Sequence, residues 1–546
     1  MRPRPVADGF IRAVLLAAAF AIPMLTAGRA LAQLDDSYPP KNGDGMPIGG
    51  NQEPQSRTPT ITVKARLVVL DVVVTDKKGS LVWRNDLKAS DFKIYEDGQL
   101  QTIRSFEAPS RHRMPQEGTA IVHSAADLKK IGDAPVTILV LDELNSTFQD
   151  ASFSRQMMVK YLQSQPEALK QPTVLMVAMN TTFQQLHDYT QDRDALIDAV
   201  KKHMPEYPWA MMGSGKSGPG AVERMGQNLA ALQQIAQAST GTPGRKNLIW
   251  VGNGFPSANL VGMPQDEADQ IEAAYRRCTA QLLAARVTMF TINPTADTTV
   301  TVEADDTADL DSTGDEGGPD PMGEGAVSFA SFAADTGGIA YMGRNDLNHV
   351  MDEGIARGQE YYTMSYTPTN AKEVAVKFRS IKIVMADKNL RALTRDGYYP
   401  ETAADLNPVA ATQPNTKANQ KLIKSNLELD ISGALTTQIS YNGLDVKADK
   451  SGADEYTLTV TGNGVGWTDP GPNGEQHEEV TLAAGWYDAK NKLLGHVARE
   501  QVCPRPETNG GCTYKLPVTL TGKPVRMRFV VRDALNGHIG TVDVKF

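Results

Sequence analysis

Residues 135–146 read PVTILVLDELNS, and few folds accommodate such a run. From Val136 to Leu141 the positions are β-branched residues or leucine, without polar alternation, and the run stops on Asp142. So short and unbroken a run predicts a strand buried on both faces, as parallel sheets require. A carboxylate at the carboxyl end of such a strand stands where open α/β sheets take their ligands. Asp142, Asn145 and Ser146 offer hard oxygen donors suited to Mg²⁺ or Ca²⁺. The same residues also suit a plainer job, capping the helix expected near Asp150 or closing a turn.

Around this run, residues 133–358 alternate strand and helix patterns, the mark of a doubly wound sheet. Phe153, Met157, Tyr161 and Leu162 make an apolar helical stripe; TVLMVAM (173–179) is the next buried strand. LHDYTQDRDALIDAVKKH predicts a turn and a helix. Met225, Leu229, Leu232 and Ala236 then recur at helical spacing. RKNLIWVGNGFP predicts a strand ending in a glycine-rich turn, 268–285 a helix, VTMFTIN a strand, and SFASFAADTGG and NDLNHVMDEGIA closing helices. Before this unit, 59–109 shows strand patterns with an Asp97-Gly98 hairpin signal; after it, 359–400 returns to strands. Neither piece is large enough to bury a core alone, so the two are expected to form one β-sandwich with 133–358 inserted between its halves. Tyr361, Tyr362, Tyr366, Tyr398 and Tyr399 fit core and interface packing better than carbohydrate stacking.

The order of these pieces resembles a von Willebrand factor type A domain, and in particular the exported von Willebrand A-related proteins of acidobacteria. The matching stretches are LVVLDVVVTDKKG, DFKIYEDGQLQTI, VLDELNSTF, GRKNLIWVGNGFP, AADTGGIAYMGRNDL, YYTMSYTPTN and FRSIKIVM with LTRDGYY, together spanning roughly 61–400. The resemblance implies a divalent cation at the carboxyl edge of the sheet, its coordination completed by an acidic group of a partner. The family motif begins Asp-x-Ser-x-Ser; here Asp142, Leu144 and Ser146 stand in those places, so one hydroxyl is replaced by a side chain that cannot coordinate. Asn253 is the nearest match to the later aspartate. The middle-loop threonine has no clear counterpart, although Thr181 and Thr182 lie nearby. The implied site is therefore a degenerate one, Asp142, Ser146 and Asn253, of weakened affinity for Mg²⁺ or Ca²⁺.

Residues 303–324 carry nine acidic and no basic side chains. Asp309, Asp311 and Asp320 loosely echo a calcium loop, but the composition fits a self-repelling acidic loop better. Residues 401–424 read as a linker, and 425–546, with its short alternating strands and Asn-Gly and Pro-Gly-Pro turns, as an immunoglobulin-like β-sandwich. Cys503 and Cys512 flank a turn-rich segment and are placed for a local disulfide; Cys278 shares a helical face with Ile271, Tyr275 and Leu282 and reads as buried.

Residues 1–32 read as a secretory signal peptide: Arg2, Arg4 and Arg12, an apolar run Val14–Leu25, then Ala30-Leu31-Ala32. Residues 33–58 read as a Pro/Gly-rich linker. Losing the leader removes four arginines and one aspartate, which moves the formal charge from −9 to −12. An acidic exported chain is a poor partner for nucleic acid. No span of the mature chain is long and apolar enough for a membrane helix. Enzyme chemistry is thin. Histidines are scattered, GSGKSG (213–218) follows no strand and lacks the first glycine of a phosphate loop, and Ser146 lacks a strained nucleophile turn. The chain is therefore expected to be a periplasmic or secreted, non-enzymatic binding protein for an extracellular or envelope protein. The alternatives are a structural assembly protein of the envelope without a metal, and a hydrolase.

Overall fold

The structure is a computed structural model. It describes residues 67–546 except 116–117, 180–182, 206–218, 256–257, 260–262, 294–299, 304–325, 344–346, 370–377, 400–416, 463, 469, 472–473 and 507–510. The expected leader 1–32 and linker 33–58, Thr181, Thr182, segment 213–218, Asp309, Asp311 and Asp320 lie outside the described residues.

The chain is a multi-domain, mixed α/β protein. It begins with β1 (Val68–Asp76), β2 (Phe92–Glu96), β3 (Gln99–Gln101) and β4 (Ile103–Glu107). Asp97 and Gly98 both have positive φ, 48° and 75°, which is what a two-residue turn matched to strand twist demands. These strands do not close a core among themselves. β14 (Tyr362–Tyr366) inserts between β1 and β4, β16 (Leu390–Leu393) flanks β1, and β15 (Arg379–Met385) pairs with β2, followed by β17 (Gly397–Tyr398). The two four-stranded sheets face each other over Leu70, Val72, Ile94, Met364 and Tyr366. Glu96 is fully buried between them. Its carboxylate accepts from Tyr366 Oη (2.6 Å), Tyr398 Oη (3.1 Å) and Arg379 Nη1 (2.8 Å), all from the later strands.

Between the halves lies a seven-stranded sheet, ordered β11-β13-β10-β8-β5-β6-β7. Its strands are β5 (Val136–Asp142), β6 (Ala168–Ala178), β7 (Phe183–Asp192), β8 (Lys246–Val251), β10 (Val287–Asn293), β11 (Val300–Glu303) and β13 (Ile339–Met342), while β9 (Ala258–Asn259) and β12 (Ala326–Val327) pair as a separate two-stranded ribbon. The central five are parallel and the two edge strands antiparallel. β5 is buried at all its positions, because side chains of alternate residues enter separate cores. Ile138 and Val140 pack against α3 (Pro219–Ser239) and α4 (Gln265–Ala284); Leu139 and Leu141 pack against α1 (Phe148–Ser164), α2 (Arg193–Lys202) and α6 (Leu347–Gln359). Each such side chain contributes roughly 1.5–3 kcal/mol of burial. The segment read as a turn before α2 is instead the edge strand β7. It carries mostly polar side chains, and pairing with β6 outweighs their weak strand signal.

A second correction concerns the linker and the start of the last domain. Residues 417–436 form helix α7 (Lys417–Thr436), so the linker 401–424 ends inside a helix and the unit from 425 opens with one. α7 follows the short α5 (Ser331–Asp335) and α6 in chain order, and its Ile431, Ala434 and Leu435 join the α3/α4 core. Beyond it, two antiparallel sheets, β18-β19-β22 and β21-β20-β23-β24, share a core that includes Leu458, Leu482, Leu516 and Phe529. These are β18 (Asp445–Lys450), β19 (Glu455–Thr461), β20 (His477–Tyr487), β21 (Leu493–Pro504), β22 (Cys512–Pro517), β23 (Arg526–Asp533) and β24 (Ile539–Lys545). Cys503 and Cys512 are disulfide-bonded, with a Cα–Cα distance of 6.0 Å, and link β21 of one sheet to β22 of the other. Cys278 is fully buried. Among the described residues no helix is long and apolar enough to cross a membrane.

Candidate functional site

In the parallel sheet the chain runs outward from β5 to β6 on one side and returns to β8 on the other, so the crevice between β5 and β8 is where the winding reverses. Ligands of such sheets bind at the carboxyl ends of the strands at this point. Asp142 ends β5 there, and Gly252-Asn253-Gly254 follows β8.

The structure brings Asp142, Asn145, Ser146 and Asn253 together, but not as a ligand set. Asp142 is completely buried. Its Oδ1 accepts the backbone N–H of Leu144 (3.0 Å) and of Asn145 (3.1 Å). Its Oδ2 accepts the indole N–H of Trp250 (3.2 Å) and the backbone N–H of Gly254 (2.7 Å). A carboxylate has about four lone-pair sites, and four donors fill them. Burial pushes this carboxyl above its ordinary range, and the four donors offset only part of that rise. The Ser146 hydroxyl donates to the Asp142 carbonyl (2.8 Å), and Asn253 Nδ2 donates to the Asn145 carbonyl (3.3 Å), drawing the two loops together. Helix α1 is capped by neither Asp142 nor Ser146. Thr147 and Asp150 cap it reciprocally, each side chain accepting the other's backbone N–H.

The glycines of the second loop explain its approach. Gly252 has φ +141°, and a Cβ there would stand 2.4 Å from Asp142 Cβ. At Gly254, with φ +61°, a Cβ would strike the Phe329 ring, which packs edge-on against Trp250 at 5.1 Å. Only a backbone without side chains comes close enough to donate to Oδ2.

The C-terminal domain supplies an internal comparison. Asp533 ends β23 and is also fully buried. Its Oδ1 accepts from the N–H groups of Leu535 (2.7 Å) and Asn536 (3.1 Å), and Oδ2 from that of Gly466 (2.6 Å). Asp142 repeats this pattern: the residues two and three ahead, plus a remote glycine. Both are strand-end staples. The Asp142 carboxylate itself offers a divalent cation no free lone pair, because four N–H donors occupy its positions. Among the described residues no group of three His, Cys, Asp or Glu side chains is placed to hold a metal.

One pair escaped sequence reasoning. Glu143, next to Asp142 and buried, lies with Oε2 3.0 Å from His203 Nε2 at the end of α2. His203, with His187 and Lys202, borders an open hollow of about 530 Å³. The two residues are 60 positions apart, so nothing in the local pattern joins them.

No family model matches the chain, and no curated protein matches it. Among solved structures it is similar to an endonuclease/exonuclease/phosphatase from Beutenbergia cavernae DSM 12333, at 14% identity over 38% of this chain and 40% of that one, with a TM-score of 0.11. It is also similar to a β-glucuronidase of Bacteroides uniformis, at 11% identity over 34% and 19%, with a TM-score of 0.10. The chain thus spans less than half the length of either, and superpositions this poor carry no argument about fold or activity.

Proposed function

We propose that this chain is an exported, non-enzymatic binding protein built on a von Willebrand A-type domain, which engages an extracellular or envelope protein without a bridging cation. The A-type reading is supported by the parallel sheet wound outward from β5, with its loops Asp142–Ser146 and Gly252–Gly254 at the point of reversal. The seven-stranded C-terminal sandwich is read as an immunoglobulin-like module. The observation that carries cation independence is the Asp142 carboxylate with all four of its lone-pair positions engaged by N–H donors. The Ser146 hydroxyl, committed to the Asp142 carbonyl, supports a role in loop closure over one in nucleophilic attack.

The test is thermal unfolding of the mature chain in EDTA and in millimolar Mg²⁺ or Ca²⁺. A ligand that binds only the folded state raises Tm by mass action. The expected result is the same Tm in all three; a cation-specific rise that Asp142→Asn abolishes would overturn the reading. A second reading, self-assembly in the envelope, is favoured by β21. This twelve-residue strand lies at the edge of its sheet, with half of its residues exposed and none buried. Strand addition there would give stoichiometric self-association in sedimentation velocity, whereas the binding reading expects a monomer.

A further inference from the structure

Where the first β-sandwich meets the α/β domain, basic groups outnumber acidic ones. Asp71 of β1 sits at the centre. Its Oδ1 accepts from Arg286 Nη2 (2.6 Å) and from the Thr363 hydroxyl (3.0 Å), and Arg286 comes from the turn between α4 and β10. Arg245 and Lys246 lie close by and are buried, 1% exposed each. The Lys246 ammonium donates to the Thr242 carbonyl; burial and the nearby Arg286 push its pKa down to about 7. Arg395, beyond β16, stacks its guanidinium on Tyr398 at 5.5 Å and also feels Asp71. Four basic side chains thus crowd Asp71, while Asp133 also acts on Arg286 and Glu96 on Arg395.

Their donors are not all used. Arg286 Nε, Arg395 Nε, and Nε and Nη1 of Arg245 are buried N–H groups without an acceptor. A buried donor left unpaired is costly, and two of these, on Arg286 and Arg395, belong to side chains that border one cavity and so call for a shared acceptor. Arg286 and Arg395, from opposite sides of the junction, line the same small cavity of about 30 Å³, bordered also by Asp71, Thr288 and Thr336. That volume takes one water-sized particle. Two of the hydroxyls around it are engaged elsewhere: Thr336 Oγ1 donates to the Phe332 carbonyl and Thr394 Oγ1 to that of Asp71. Arg286 and Arg395 bring guanidinium groups and positive charge to the cavity, beside the Asp71 carboxylate that Arg286 already pairs with.

We propose that this cavity binds a single monovalent anion of chloride size, which fastens the β-sandwich to the α/β domain by accepting from Arg286 and Arg395 together. An anion answers both the charge excess and the donor excess. A water molecule would answer only the second.

The test is thermal unfolding of the mature chain at fixed pH and ionic strength, with chloride replaced stepwise by gluconate, which is too large for the cavity. The expected result is a Tm that rises with chloride and saturates, a response lost in Arg395→Gln. Equal Tm in chloride and gluconate, or a chloride response retained in Arg395→Gln, would overturn the proposal. Because the variant could fail to fold, wild-type crystals soaked in bromide give an independent reading. An anomalous peak between Arg286 and Arg395 supports the site, and a cavity holding water alone refutes it.

Discussion

Asp142 looks like a metal ligand in sequence because a carboxylate at a strand end is the residue type a cation needs, and it is also the residue type a strand-end turn needs. What decides between them is the origin of its partners. Trp250 and Gly254 reach it from 108 and 112 positions away, a distance over which no spacing rule operates. Asp142→Asn is expected to destabilise the protein by about 1–3 kcal/mol for each N–H left without an acceptor, read by urea unfolding and equal with and without EDTA. Glu478 gives a pH prediction. It is fully buried, its Oε2 accepts from Tyr514 Oη (2.8 Å), and burial raises its pKa from the ordinary 4.5 to about 7. The folded state then holds a proton that the unfolded chain releases between those values. The stability it contributes is complete below about 4.5 and is lost as pH rises towards 7. Glu478→Gln should flatten that decline in denaturant midpoints measured across this range.

At the scale of elements, legibility followed burial. β5, wholly buried, was readable from its unbroken run, and the Asp97-Gly98 turn from its residues. β7 was not readable, since an edge strand of polar side chains carries no apolar alternation. α7 was missed although Leu427, Ile431, Ala434 and Leu435 hold helical spacing, because they follow a stretch rich in turn residues. That helix locks the C-terminal domain in place. Asp430 accepts from Gln237 Nε2 of α3 and Arg532 Nε of β23, both at 2.8 Å. Asp430→Ala would leave Arg532, 5% exposed along its side chain, buried without its carboxylate. A loss of about 3–5 kcal/mol is expected. It should emerge as earlier proteolysis between α7 and β18, while hydrogen exchange in β5 stays slow.

For the whole molecule, the first sandwich is a single body made from two distant pieces of chain. A fragment of residues 68–107 is expected to be unfolded by NMR, since β1 and β4 lack β14 between them and β2 lacks β15. Adding a second fragment, 359–400, should restore dispersed amide signals. This nested arrangement also sets an order of events during synthesis. Glu96 must wait for Tyr366, 270 residues later, before its carboxylate can be satisfied. At about 5–20 residues per second of synthesis, that is roughly 14–54 seconds. Throughout that interval β1 to β4, made ahead of the α/β domain, stand as open, sticky edges. A chain built this way has reason to depend on a chaperone that holds its first strands apart until its last ones arrive.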